Sequence, residues 1–305
     1  MTATVGADPI TIGTTNGLRL AATRTSGQAP LTILYQHGML ADSTFWESTM
    51  TAINQNHDIT QIAIDARGHG RSQRPPHRDT TDITTLADDL ATVIDHISGP
   101  ILLVAHSLGS CVVMEHARRH PGQLTDRVQH ILLFSCGERL ELARSPLFDH
   151  TVAALRRMRG RPGADHVAAA GFAAMIRRTQ KRITRSDGTG CTTPQPIDAR
   201  VTADLWNASG HWQLSDIAAH TLAGIGVTMI ACSRDRIIPP ERTSQLAARI
   251  EGTPVHLVDG ARHSLPADEP AIAAAFVSRA IRTTLHAKPL TTTIPAPAPP
   301  EVVRT

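Results

Sequence analysis

Ser107 is the first residue of this chain whose type and surroundings could support chemistry. It comes after the apolar run 101–104 and before a helical pattern over residues 110–117. A strand, a tight turn with a central serine and a helix form a nucleophile elbow, in which the hydroxyl stands clear of the sheet. Gly109 is one of the two small residues that such a turn needs, and Ala105 occupies the other position. The alternative is a serine in an ordinary strand–helix loop, because short motifs also occur by chance.

Two later residues are suited to activate that serine. A serine hydroxyl becomes a nucleophile when a base accepts its proton and a third group orients the base. Asp235 follows the apolar run 226–232 in a loop that Pro239 closes, and His263 follows the apolar run 254–258. Alone, a histidine in a chain with 16 of them is usually structural, and the aspartate could cap the next helix. The order serine, acid, histidine, each just beyond a strand, favours a catalytic triad.

The backbone after the apolar run 31–35 can contribute to an oxyanion hole. Negative charge that develops on a tetrahedral intermediate needs preorganised donors, which are usually backbone N–H groups. We expect one from Leu108, directly after the serine, and one from Met39, in the loop after the third strand. Gly38 would let that backbone turn inward, and His37 is interpreted as a structural hydrogen-bonding residue rather than a second base.

These motifs together resemble the α/β-hydrolase superfamily, in particular its capped branch of esterases, perhydrolases and C–C hydrolases. The resemblance extends over about residues 8–286 apart from the middle of the chain, and the matching segments are 37–38, 65–72, 105–109, 235–239 and 260–264. It implies an α/β-hydrolase fold, with a mainly parallel eight-stranded sheet, helices on both faces and an inserted helical cap. Family members that hydrolyse epoxides or haloalkanes carry aspartate at the elbow, so Ser107 argues against those two activities.

The segment Asp65-Ala66-Arg67-Gly68-His69-Gly70-Arg71-Ser72 is highly characteristic of the family that the chain resembles. The resemblance implies a structural role for it, as a turn after the fourth strand. We expect Gly68 and Gly70 to adopt backbone angles that other residues resist. Asp65 and His69 are therefore not expected to be catalytic.

Strands alternate with helices along most of the chain, which indicates a mainly parallel sheet covered on both faces. Asn16-Gly17 is a strong hairpin signal and predicts an antiparallel edge. Strands are predicted near 9–13, 19–24, 31–36, 59–64, 100–105, 129–135, 226–232 and 254–258. Helices are predicted near 43–55, 82–97, 108–119, 240–250 and 267–286.

The interval of roughly 90 residues between the sixth and seventh strands is far longer than a normal crossover. We therefore predict a core domain of residues 1–136 and 215–286, with residues 137–214 forming an inserted helical cap. The Ala-rich stretch 167–176 is typical of helix, residues 188–194 are typical of a loop, and the Pro- and Thr-rich tail 287–305 is predicted to be disordered or extended.

A cap over the carboxyl edge of the sheet would wall a substrate pocket and exclude water. Aromatic residues are only 3% of the chain, so an aliphatic pocket is expected. Packing within the cap is the alternative role for each candidate. Besides the two oxyanion residues, the candidate lining residues are His37, Leu40, Phe148, Phe172, Met175, Trp206 and Trp212.

The net charge is only +3, but residues 139–185 hold eleven Arg or Lys against three acidic residues. A solvated helix face is one interpretation. The other is attraction of an anionic or carrier-bound substrate, such as a carboxylate, a coenzyme A thioester or an acidic acyl-carrier protein. No nucleic-acid motif, membrane-spanning run, metal-binding spacing or cofactor motif is recognisable, so none of these partners is expected.

The four cysteines are scattered, and Cys111 and Cys232 fall in predicted buried elements as inert thiols. Together with an N-terminus that is not typical of a signal peptide, this pattern predicts a cytoplasmic protein. The Arg- and Ala-rich composition suggests a high-GC bacterial origin.

The resulting hypothesis is a serine hydrolase that cleaves a carboxylic ester of a small or medium, largely apolar acyl group through an acyl-enzyme. A thioesterase or acyl-cyclising enzyme, a C–C hydrolase, and a lactonase or perhydrolase share the same triad and stay open. A non-catalytic ligand-binding protein on the same fold is the alternative from another class, although such proteins usually carry a broken triad.

Overall fold

The computed structural model describes residues 7–76, 79–139, 146–161, 163–185 and 197–286. Within its helices, the side chains of residues 147, 148, 165, 176–185 and 286 lie outside the described part. The predicted loop 188–194, the predicted tail 287–305 and the side chain of Phe148 therefore lie outside the described residues.

Eight strands form one sheet in the order β1-β2-β4-β3-β5-β6-β7-β8. β1 and β2 form the predicted antiparallel hairpin, β2 also pairs antiparallel with β4, and the remaining neighbours are parallel. The predicted strands are confirmed to within two residues at each end. They are β1 Asp8–Gly13, β2 Arg19–Thr25, β3 Thr32–Gln36, β4 Thr60–Ile64, β5 Ile101–His106, β6 Val128–Phe134, β7 Gly226–Cys232 and β8 Val255–Val258.

Eleven α-helices accompany the sheet in the described ranges. They are α1 Glu47–Asn54, α2 Ile83–Asp95, α3 Leu108–Arg119, α4 Pro121–Arg127, α5 Pro146–Met158, α6 Ala164–Arg185, α7 Ala199–Ser209, α8 Asp216–Ala223, α9 Pro240–Arg249, α10 Leu265–Asp268 and α11 Pro270–His286. The five helices predicted outside the cap are present, but two of them are divided.

The predicted helix 267–286 was wrong as a single helix. Pro270 lacks a backbone N–H and cannot continue an α-helix, so the chain breaks between α10 and α11. The predicted helix 43–55 likewise begins as a 3-10 turn, Ser43–Trp46, before α1. The sequence interpretation missed α4 and α8, although Pro121 in the first turn of α4 and the Ser215 side chain that caps α8 are standard start signals.

The two faces of the sheet carry separate hydrophobic clusters. Leu103 and Ala105 of β5 belong to the cluster shared with α2, α3 and α8, whereas Leu102 and Val104 belong to the cluster shared with α1 and α11. Because successive side chains of a strand point to opposite faces, a central strand covered on both sides is apolar throughout. This burial holds the carboxyl end of β5, and with it Ser107, in a rigid setting.

The long connection between β6 and β7 contains α5, α6 and α7, which we name the α5–α7 insertion. Its helices enclose a small cluster made by Val152, Leu155, Phe172, Ala199 and Ala203. At the base of the insertion, Arg139 and Gln213 form an antiparallel bridge. In addition, α7 contributes Val201 and Leu205 to the main core, which attaches the insertion to the sheet.

Candidate active site

Ser107 occupies a sharp turn between β5 and α3. Its backbone has φ 52° and ψ −119°, a conformation that costs energy for any residue with a side chain. Its N–H donates to the Phe134 carbonyl over 3.0 Å, which holds the turn against β6. A Cβ atom at Gly109 would lie 2.6 Å from the Gln36 oxygen, so only glycine lets α3 approach β3 this closely.

The three residues predicted as a triad come together in the folded chain. The Ser107 hydroxyl lies 3.0 Å from Nε2 of His263. Nδ1 of His263 lies 2.7 Å from Oδ2 of Asp235. The hydroxyl can donate to the imidazole while the imidazole donates to the carboxylate, which is the hydrogen-bond chain that a serine nucleophile requires.

Asp235 is oriented by its own loop. Its Oδ1 accepts the N–H groups of Ile237 at 2.8 Å and Ile238 at 2.9 Å, which leaves Oδ2 for His263. Burial by itself would raise the pKa of Asp235, but the hydrogen bond and charge of His263 and the two backbone donors together hold the pKa below its usual value. The alternative role as a helix cap is not seen, because Pro239 stands at the N-cap of α9.

The two predicted oxyanion donors belong to the segments that meet at Ser107. Leu108 is the first residue of α3, and Met39 follows Gly38 at the end of β3. Among the hydrogen bonds of the described residues, none uses the N–H of Met39 or Leu108. A Cβ atom at Gly38 would lie 3.1 Å from Cβ of Ser107 and 2.8 Å from Nδ1 of His106. Close approach, rather than an unusual backbone angle, therefore explains the glycine at this position.

His37 holds the loop that carries Met39. The Ala66 N–H donates to Nε2 of His37 over 3.0 Å, so Nε2 carries no proton, and Nδ1–H donates to the Gly38 carbonyl over 2.8 Å. With both ring nitrogens engaged, His37 is not available as a second base. The structure thus agrees with the structural role expected from the sequence rather than with a lining role.

The loop 65–72 supports the site without entering it. Gly68 and Gly70 have φ of 71° and 53°, which confirms the expectation from their residue type. The Asp65 carboxylate accepts the Ser43 N–H at 2.7 Å and the Arg71 N–H at 3.0 Å. It therefore ties this loop to the turn that follows the Met39 loop.

The remaining pocket candidates separate into two groups. Leu40, Met175 and Trp206 pack against the cluster of the α5–α7 insertion, which contains the buried Phe172. Trp212 instead packs against the main core, and its indole N–H donates to Glu115 over 3.3 Å. Because Leu40 follows Met39 directly, its contact with this cluster brings the insertion to the carboxyl edge of the sheet.

Two residues that the sequence interpretation did not single out contact His263. Nε2 of His106 lies 2.8 Å from the His263 carbonyl oxygen, and the Ser135 hydroxyl lies 3.3 Å from the same oxygen. The only signal in the sequence is position, since each lies at the carboxyl end of a strand predicted to adjoin the site.

A sequence model described as the alpha/beta hydrolase family matches residues 34–276. This chain belongs to the alpha/beta hydrolase family. The matched range includes Ser107, Asp235 and His263. The fold agrees with this membership, because the eight strands form one mainly parallel sheet with an antiparallel edge.

One other hydrolase is similar to part of this sequence, and two esterases of known structure share its fold. The 2-(acetamidomethylene)succinate hydrolase of Mesorhizobium japonicum is 34% identical over 99 residues, which cover 32% of this chain and 34% of the relative. The matched segment thus spans about a third of that protein. A malate-bound thermophilic esterase from Thermogutta terrifontis has a TM-score of 0.67 at 21% identity, over 91% of this chain and 99% of that one. An esterase from Exiguobacterium antarcticum has a TM-score of 0.69 at 15% identity, over 90% and 100%.

The described residues offer neither a metal site nor a membrane-spanning helix. Within the described ranges, no three His, Cys, Asp or Glu side chains are grouped so that they could hold a metal ion. Among the described helices, none combines the length and the apolar character needed to cross a membrane. Burial raises the pKa of the thiols of Cys111, Cys136 and Cys232, so these buried cysteines are unreactive, as expected for Cys111 and Cys232.

Proposed function

We propose that this protein is a serine hydrolase that cleaves a carboxylic ester of a small or medium, largely apolar acyl group. The observation that carries the proposal is the continuous chain of contacts from the Ser107 hydroxyl through His263 to Asp235. Family membership and two free backbone N–H groups beside the serine support it further.

In the proposed reaction, His263 accepts the proton of Ser107 as Oγ attacks the ester carbonyl. Asp235 keeps the imidazole in the tautomer that carries its proton on Nδ1 and stabilises the imidazolium that forms. The imidazolium then protonates the leaving alcohol, and the acyl-enzyme remains. Water, deprotonated by His263, attacks the acyl-enzyme and releases the carboxylic acid.

The N–H groups of Met39 and Leu108 are proposed to bind the oxyanion in both steps. A single donor of this kind is worth about 3–4 kcal/mol of barrier in serine hydrolases. The hydrogen bonds of His37 and the close approach of Gly38 preorganise the Met39 loop, so these donors need no rearrangement when charge develops.

We further propose that the α5–α7 insertion is a cap that closes the substrate pocket. Leu40, Met175 and Trp206 come together in one largely aliphatic cluster next to the Met39 loop, which suits an apolar acyl group. The insertion stays attached through Asp204 on α7, whose Oδ2 accepts from Arg159 at 2.7 Å and from the Thr81 N–H at 3.2 Å.

A second candidate is a carboxylate-bearing or carrier-bound substrate, including a thioester. Arg156, Arg157 and Arg161 are exposed on the insertion, where they would attract an anion. The name of the relative from Mesorhizobium also describes a succinate derivative. This candidate predicts that kcat/KM for acidic substrates falls with added salt, whereas kcat/KM for neutral esters does not.

The test is turnover of acyl esters and thioesters, from acetyl to long-chain, by the wild type and Ser107→Ala, with fluorophosphonate labelling of both. We expect wild-type cleavage of short or medium esters, a loss of about a millionfold in kcat for the variant, and labelling of the wild type alone. Cleavage that survives Ser107→Ala would contradict the proposal. Labelling without ester cleavage would favour the thioester or C–C hydrolase alternatives.

A further inference from the structure

His106 lies between Ala105 and the nucleophile, at the end of β5, and its side chain is buried. Its ring stacks on Phe45 with centroids 4.6 Å apart and an interplanar angle of 27°. Its other neighbour is the His263 ring, with centroids 4.7 Å apart. The His106 imidazole therefore lies between the Phe45 ring and the imidazole of the proposed base, His263.

The hydrogen bond to His263 determines the tautomer of His106. A backbone carbonyl can only accept, so Nε2 of His106 must carry the proton that it donates to the His263 oxygen over 2.8 Å. Burial, aided by the nearby charge of His263, lowers the pKa of His106 to about 3. The ring is therefore neutral near neutral pH. Nδ1 is then a bare acceptor, and within the described part of the chain it has no hydrogen-bond partner.

Three loops of the site meet at this one ring. The elbow carries His106 itself, and the histidine loop is bound through the His263 carbonyl. The Met39 loop is in contact at Gly38, where a Cβ atom would lie 2.8 Å from Nδ1. The Phe45 ring extends the contact into the 3-10 turn that follows the Met39 loop.

We propose that His106 is a positioning residue that sets the proposed base His263 at its distance from Ser107 by binding the His263 backbone. This inference rests on the proposed function, because it assigns His106 to the same reaction. The bond acts on the backbone of His263, whereas Asp235 acts on its ring. The two contacts therefore fix different degrees of freedom of one residue.

Ser135 is the second donor to the same carbonyl oxygen, at the longer distance of 3.3 Å. Ser135 also has a positive φ of 49°, which is an uncommon backbone conformation for a residue with a side chain. A weaker, longer bond predicts a smaller effect for Ser135 than for His106.

The experiment compares His106→Phe with His106→Gln. Phenylalanine keeps a flat ring against Phe45 but has no donor, whereas the glutamine amide nitrogen can restore a donor near the Nε2 position. We expect His106→Phe to lower kcat by about 10- to 100-fold with KM within threefold, because small misplacements of catalytic groups cost this much. We expect His106→Gln to recover most of the loss and Ser135→Ala to lower kcat by about threefold at most.

The matched control is His116→Phe, which removes a histidine that is equally buried on α3 and whose Nε2 bonds Gln123 instead. This variant should keep kcat within twofold of the wild type, because His116 is buried but has no part in the proposed reaction. Unchanged kcat in His106→Phe, or equal losses in the phenylalanine and glutamine variants, would overturn the assignment.

If His106→Phe does not fold, the downfield NMR resonance of the His263 Nδ1 proton in His106→Gln and Ser135→Ala gives a second measurement. We expect the resonance to be retained in His106→Gln and to shift only slightly in Ser135→Ala. Loss of the resonance in His106→Gln would overturn the proposal. Fluorophosphonate labelling of the wild type keeps the two proposals separate. An unlabelled wild type contradicts the proposed function, whereas a labelled wild type with an unaffected His106→Phe contradicts only the inference about His106.

Discussion

Gly109 and Gly171 are both glycines within α-helices, yet their surroundings are opposite. A Cβ atom at Gly109 on α3 would lie 2.6 Å from the Gln36 carbonyl oxygen and 2.7 Å from that of His37, whereas one at Gly171 on α6 would meet nothing within 4 Å. The first glycine lets the elbow approach β3, and the second borders an open apolar groove between α5 and α6. Close packing and buried hydrogen bonds therefore hold the loops around Ser107, whereas α5 and α6 of the insertion leave open space between them.

Under the proposed function, this difference separates two tasks. The strand-end loops must keep reacting groups within a fraction of an ångström, and such precision requires side chains locked by their neighbours. A cap, which is the role proposed for the α5–α7 insertion, has to admit and release substrate, and this requires elements of lower local stability. Four predictions test this contrast, each with a matched change in the other region or on a residue outside the reaction.

Asp235→Asn should have the largest effect. The Ile237 and Ile238 N–H groups need the remaining oxygen, so the new amide N–H₂ faces His263 and forces its proton onto Nε2. That tautomer cannot accept the proton of Ser107, and we expect kcat to fall by about 10³–10⁴-fold. Steady-state kinetics with a short ester measures this loss.

The matched control in the insertion is Asp204→Asn, another buried aspartate that accepts a backbone N–H. It weakens the ion pair with Arg159 but touches no group of the proposed triad. Its kcat for the short ester should stay within tenfold of the wild type. Equal losses in the two variants would show that the insertion, too, fixes the reacting groups.

Gly109→Ala should destabilise the protein and slow it. The added methyl would overlap two backbone oxygens and Cγ of Gln36, so we expect a loss of about 1–3 kcal/mol in the free energy of unfolding. We also expect a lower kcat, because α3 would move Ser107 away from the Met39 loop. Urea unfolding and ester hydrolysis measure the two effects, and an unchanged stability would contradict the packing argument.

Acid should destabilise the sheet and its loops through buried histidines. Burial lowers the pKa of His69 and His106 to about 3 and that of His116 to about 4. The unfolded chain binds these protons near pH 6.5 and the folded protein does not, so the free energy of unfolding falls as pH is lowered below 6.5. Each histidine contributes about 2 kcal/mol to the loss between pH 7 and pH 5.

Urea unfolding of the wild type and His116→Gln at these two pH values measures one such contribution. The variant should lose about 2 kcal/mol less than the wild type over this range. The exposed His150 in the insertion offers the matched control, since His150→Gln should leave the loss unchanged. If His150→Gln instead reduced the loss in free energy of unfolding between pH 7 and pH 5, the acid-sensitive histidine would lie in the insertion.

Gly171→Ala should have the smallest effect and the opposite sign to Gly109→Ala. Alanine favours a helix interior over glycine by about 0.5–1 kcal/mol, and at this position the methyl meets no neighbour. We therefore expect a small gain in the free energy of unfolding, with kcat for a short ester unchanged. A loss of stability would show that the α5–α6 groove closes in solution.

The sequence predicted the sheet well because its strands carry an unambiguous signal. β5, for example, is buried on both faces and is apolar from residue 101 to residue 105. Helix ends were less predictable, since Pro270 divides α10 from α11 inside a stretch that otherwise has helical periodicity. The short helices α4 and α8 were missed because they give too few turns for a periodic pattern to stand out.

By itself, the sequence determined the family, the positions of the strands along the chain and the candidates Ser107, Asp235 and His263. Local residue types decide these features, since an elbow needs small flanking residues and a strand needs its periodicity. Only the tertiary structure decided that Asp235 faces His263 rather than capping α9, that His106 binds the His263 carbonyl, and that Trp212 lies against the main core. These contacts join residues far apart in the chain, and no local pattern encodes which partner a side chain meets after the sheet has formed.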